Sequence, residues 1–130
     1  MADPWEQVFV DAANLADAGD RQGAVDLLLP VLDREDVPPF GRSLAATNIG
    51  TMNARSERVD EAMAWYERAV TLDPDGEGAG VALGEKAMLL HSLERHHEAV
   101  ATFERMLALP HLREDSRAAV EYNLRLMRGD

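Results

Sequence analysis

The stretch HSLERHHEAV, residues 91–100, puts His91, Glu94, His96, His97 and Glu98 within eight residues of one another. Imidazole and carboxylate groups at this density are the donors that zinc or iron takes. Glu94 and His97 also have the i, i+3 spacing used by carboxylate-bridged metal sites in helix bundles. Such a site needs a second motif of the same kind and two further inward glutamates on long helices, and the chain supplies neither. His96 and His97 instead fall where a helix hairpin should turn, so the expectation is a solvated corner, with no metal and no cofactor. Ser43, Ser56, Ser92 and Ser116 have no recognisable nucleophile setting and read as turn or cap residues. The segment GEGAG, residues 76–80, lacks the preceding strand and following lysine of a phosphate cradle and reads as a joint. Cysteine is absent, which rules out thiol catalysis, cysteine-ligated zinc and disulfides and fits a reducing, cytoplasmic compartment. No enzyme is expected.

The net charge is −11, from 24 acidic against 13 basic residues. Such a surface repels phosphate backbones and anionic head groups, so neither nucleic acid nor a membrane is an expected partner. The start, MADPWEQVF, lacks the basic and apolar regions of a secretory signal, and no apolar run approaches a membrane span. Twelve arginines against one lysine, with abundant alanine, fit a GC-rich bacterial genome.

Those residues must be carried by helices, because apolar positions recur at helical spacing between short breaker-rich joints. The first helix runs from an Asp3 cap and Pro4 to a stop at Gly19. The second, residues 21–35, contains Pro30, which removes a backbone hydrogen bond and predicts a kink or an early end. DVPPFG reads as a rigid joint before a third helix over 42–56, with its partner over 59–72. DPDGEGAG reads as a flexible joint before helices over 81–93 and 96–109, and a seventh helix covers 114–127.

The second helices share one register. Ala24 is followed by Leu28 and Val31, Ala62 by Tyr66 and Ala69, and Ala99 by Phe103 and Met106. Twelve residues before each alanine lies another small residue, Ala12, Gly50 or Ala87, and three beyond that lies Leu15, Asn53 or Leu90. A small side chain on each helix lets the pair approach where it crosses, while larger neighbours fill the flanking gaps.

These positions resemble the tetratricopeptide repeat. In the middle hairpin Ile49 and Gly50 stand for the family's Leu-Gly pair, Ala62 and Tyr66 for its alanine and aromatic, and Asp73-Pro74 for its terminal Asp-Pro. The third hairpin keeps Ala87, Leu90, Ala99 and Phe103 but has Lys86 in place of leucine and His111 in place of proline. The first keeps Ala12, Leu15, Gly19, Ala24 and Leu28 but has Asp11 at an apolar position, in the manner of a terminal repeat. The resemblance implies an all-α fold of one domain over 1–130, a right-handed superhelical stack of antiparallel hairpins. Repeats would lie at about 4–36, 42–74 and 79–111, with a capping helix at 114–128. The spacings of 38 and 37 residues between the alanines exceed the usual 34, and the surplus is expected in the joints.

In the family, first helices of successive hairpins line a concave groove that holds a peptide. Projected here, the groove comprises Phe9, Ala13, Ala16 and Asp17, then Leu44, Thr47, Asn48, Thr51 and Arg55, then Val81, Gly84, Glu85, Met88 and His91. Phe9, Ala13, Leu44, Asn48, Thr51, Arg55, Gly84, Met88 and His91 are the expected ligand-binding residues. The subclass that clamps a C-terminal carboxylate is not matched, since only Asn48 agrees and Phe9, Ala13, Val81 and Glu85 fill its other positions. The resemblance therefore implies a protein or peptide partner. The alternative is a homo-oligomer formed through the groove or the edge helix, with Trp5 and Trp65 weighed as exposed anchors and more readily explained by core packing.

Overall fold

The computed structural model describes residues 3–129. Its helices are α1 (Pro4–Asp17), α2 (Arg21–Leu28), α3 (Pro39–Arg55), α4 (Val59–Leu72), α5 (Glu77–Ser92), α6 (His96–Leu107) and α7 (Glu114–Arg128), with a 3₁₀ turn (Leu29–Asp33) after α2 and no strand among the described residues. Antiparallel pairs α1–α2, α3–α4 and α5–α6 follow one another, α4 and α5 join the second pair to the third, and α7 packs on α6.

Pro30 ends α2 as its missing amide requires. The chain continues as the 3₁₀ turn, which buries Val31 and Leu32 against α3. Two starts differ from the sequence expectation. Helix α3 begins at Pro39, a residue suited to the first helical position because its absent amide has no intrahelical partner there. Helix α5 begins at Glu77, because the Asp73 carboxylate accepts the Gly78 amide at 2.8 Å and the Asp73 carbonyl accepts that of Ala79 at 3.2 Å. Gly78 is buried within α5, and a Cβ there would lie 2.4 Å from Ser43 Oγ. The glycines of GEGAG thus serve close helix approach rather than flexibility. The surplus of both spacings consequently lengthens the first helices, α3 to 17 and α5 to 16 residues against 14 for α1, rather than the joints alone. Ser43 is no turn residue: it lies inside α3 and donates to the Ala69 carbonyl at 2.8 Å, tying α3 to α4.

The hairpin crossings are made by the small residues. Ala24, Ala62, Ala87 and Ala99 are wholly buried, Ala12 is 2% exposed and Gly50 is buried. A Cβ on Gly50 would lie 2.8 Å from the Tyr66 ring and 3.3 Å from the Ala62 carbonyl oxygen, so Tyr66 occupies the volume any larger residue needs. Leu28, Val31, Tyr66, Ala69, Phe103 and Met106 fill the flanks from the buried side. One apolar cluster runs from α1 to the start of α5, with Trp5 and Trp65 half-buried against it, and a second is shared by α5, α6 and α7; Val70 packs on both. Helix α7 closes the second cluster with Val120 and Leu124.

The same turn links each pair. The Asp20, Arg58 and Arg95 amides donate to the carbonyls of Leu15, Asn53 and Leu90 at 2.8, 2.8 and 2.9 Å. The Ala24, Ala62 and Ala99 amides then donate back to the carbonyls of Asp20, Arg58 and Arg95 at 3.1, 3.0 and 3.0 Å. This six-to-one closure needs a left-handed residue before the donor, supplied by Gly19 (φ 90°), Glu57 (φ 63°) and Glu94 (φ 61°). Only Gly19 is free of the Cβ penalty at that conformation. Nothing lies within 4 Å of a Cβ built on Gly19, so Gly19→Ala should lower unfolding free energy by about 1 kcal/mol through backbone strain alone. Glu57→Ala and Glu94→Ala, where a Cβ is already present, should stay within about 0.5 kcal/mol of wild type in urea denaturation.

Candidate functional site

Helices α3 and α5 lie side by side, and their C-terminal halves form a broad, shallow cleft of about 350 Å³. Thr51, Ala54 and Arg55 line one side and Glu85, Met88, Leu89 and Ser92 the other. Tyr66 reaches the cleft from α4, its hydroxyl 3.0 Å from Thr51 Oγ1. Burial pushes the phenol's pKa up, with the Thr51 hydroxyl opposing that shift, so Tyr66 stays a neutral hydrogen-bonding group at physiological pH.

A second cleft of about 290 Å³ opens where α7 packs on α6 without running along α5. It is lined by Met88 and His91 of α5, Phe103 of α6, and Asn123, Leu126 and Met127 of α7. Met88 is 51% exposed and borders both clefts.

The nine residues projected onto the groove are therefore distributed unevenly. Thr51, Arg55 and Met88 share the first cleft, and Met88 and His91 share the second. Leu44 and Asn48 are half-buried further along α3, and Gly84 faces Met106 of α6, whose Sδ would lie 3.8 Å from an added Cβ. Phe9 is half-buried against the first core in edge contact with Trp5, and Ala13 is exposed. Helix α1 packs on α2 and makes no comparable contact with α3, because the 3₁₀ turn takes that side of α3. The lining from α7 and the Tyr66 hydroxyl were missed by projecting first helices alone, since both lie on helices that the projection left out.

The His91 and His96 rings meet at a tilt of 59° with centroids 5.2 Å apart, and no group of three or more metal donors gathers among the described residues.

Opposite the groove a three-way ion pair joins successive hairpins. Glu67 of α4 accepts a forked pair of bonds from Arg105 of α6 at 2.7 and 3.0 Å and one from Lys86 of α5 at 2.8 Å. The Arg105 bonds hold the Glu67 carboxyl below the usual carboxylate range, burial opposes this, and Lys86 adds to the lowering. Lys86, the chain's one lysine, thus has a polar partner at a position where leucine was expected.

The sequence profile described as tetratricopeptide repeat matches residues 42–110, which run from the first turn of α3 through α6 with the joints between them. The chain belongs to the tetratricopeptide repeat family. A search of curated proteins returns no match. Repeats of this family form a non-catalytic class that mediates protein–protein interaction. In repeat terms, Gly50 with Ala62 and Ala87 with Ala99 are the crossing pairs of the matched region, and the Glu67 cluster links one of its hairpins to the next.

A carboxyl whose folded pKa is depressed adds stability above its unfolded pKa and loses it as pH falls through the folded value. The Glu67 side chain is 41% exposed, so the network contributes only about 1 kcal/mol at pH 7. Glu67→Gln should be less stable than wild type by that amount at pH 7, and the difference should persist into the usual carboxylate range and fade only as pH falls through the lowered pKa of Glu67 itself.

Proposed function

We propose that the protein is an interaction module that receives a segment of a partner protein in the joined clefts of α3, α5 and α7. The observation that carries this reading is the exposure of Met88 at the junction of the two clefts. Methionine there, with Leu89, Leu126 and Met127 around it, offers a pliable apolar surface that adapts to a partner's side chains. Thr51, Ser92 and Asn123 supply hydrogen bonds at the margins, and Arg55 and Glu85 contribute one charge of each sign.

In a chain of net charge −11 this lining is close to neutral, which fits a partner segment with two or three apolar anchors and disfavours nucleic acid. Among the described residues no helix is long and apolar enough to cross a membrane. Of the residues projected from the sequence, Thr51, Arg55, Glu85, Met88 and His91 are the ones assigned to this surface.

Peptides selected from a displayed random library on the immobilised protein supply the test, with affinity read by titration calorimetry. Met88→Glu should weaken a selected peptide at least tenfold, about 1.4 kcal/mol, while Asp60→Asn on α4 should leave it unchanged. Selected peptides that bind Met88→Glu as tightly as wild type would overturn the assignment.

A further inference from the structure

A helix of a repeat stack offers a docking face wherever apolar side chains on it are left uncovered by a neighbouring helix. Helix α7 carries such a face. It turns Val120 and Leu124 inward, yet its outward side carries Tyr122 and Leu126, 55% and 59% exposed and one turn apart. Beside them, also one turn apart and exposed, stand Glu121 and Arg125. Neither forms an ion pair or side-chain hydrogen bond among the described residues, although other arginines of the chain, including Arg95, Arg105 and Arg128, find carboxylates. Ala118 and Ala119, exposed in the preceding turn, leave no bulk to hold another helix away.

We infer that the outer face of α7 pairs with α7 of a second copy, antiparallel about a two-fold axis near Leu124. The pattern is self-complementary under that operation alone. Reversing the helix about an axis between the levels of Asn123 and Leu124 brings Tyr122 of one copy beside Leu126 of the other and Glu121 beside Arg125, and the axis makes each contact twice. A parallel pairing in register would instead set Glu121 on Glu121 and Arg125 on Arg125. The fifteen residues of α7 span about 22 Å, so the contact falls below the roughly 1,600 Å² of a standard interface and the dimer is a weak one. Leu126 also lines the cleft between α5 and α7, so Tyr122 reports on the outer face more cleanly.

Sedimentation velocity over about 1 µM to 1 mM protein tests this. Wild type should pass from monomer to dimer and stop there, and Tyr122→Ser should stay monomeric. Glu121→Arg and Arg125→Glu should each shift the midpoint to at least tenfold higher concentration, and the double variant Glu121→Arg/Arg125→Glu should restore it, because the exchanged charges again face opposites. All these positions are exposed, and a circular dichroism melt matching wild type verifies that the variants fold. A wild-type monomer throughout the range, growth beyond the dimer, a dimer retained in Tyr122→Ser, or a double variant no better than the single ones would each overturn the inference. None of these readings depends on peptide binding in the groove.

Discussion

The closest backbone approach in each hairpin is set by what does not project from it. Where α3 crosses α4, Gly50 offers no side chain and Tyr66 fills the vacated space, its ring 2.8 Å from where a Cβ would stand. Ala12 against Ala24 and Ala87 against Ala99 occupy the same places in the flanking pairs, wholly or almost wholly buried. Since protein interiors are packed to crystal-like density, a crossing this tight has little capacity to absorb added volume. The turn that follows is fixed by the same register. The residue three beyond the first small residue supplies the carbonyl that closes the corner, and the alanine of the second helix donates its first hydrogen bond back to the corner.

From that unit the groove follows. Helix α3 is tied to α4 by the buried Ser43 to Ala69 hydrogen bond, α5 is seated on α3 where Gly78 lies against Ser43, and the Glu67, Lys86 and Arg105 cluster joins α4 to the next hairpin. Apolar packing is thus supplemented by a polar tie both within the middle hairpin and between it and the next. The partner-facing side is left with Thr51, Arg55, Glu85, Met88 and Tyr66, a lining of mixed chemistry near neutral charge in an acidic chain.

Much of this was legible in the residues. Small-large-medium spacing located the crossings, Pro30 marked the end of α2, and the ends of α4 were read to the residue, because its apolar spacing starts at Val59 and Asp73-Pro74 stops it. What was not legible depended on contacts distant in sequence. The glycines of GEGAG looked like a joint because nothing local shows that Ser43 lies against Gly78. Glu57 and Glu94 gave no sign that they adopt the backbone of Gly19. At the candidate site, spacing placed Thr51, Arg55, Met88 and His91 on first helices, but the contribution of α7 and the separation of α1 from α3 depend on packing between elements distant in the chain.

The claim that the Gly50 crossing governs the fold is tested most directly by equilibrium urea denaturation of Gly50→Leu, Tyr66→Ala and the double variant. Gly50→Leu should cost about 1 to 3 kcal/mol, and the double variant should cost less than the sum of the single ones, because removing the ring vacates the space that leucine requires. A Gly50→Leu protein as stable as wild type, or costs that simply add, would show that the two helices do not depend on that approach.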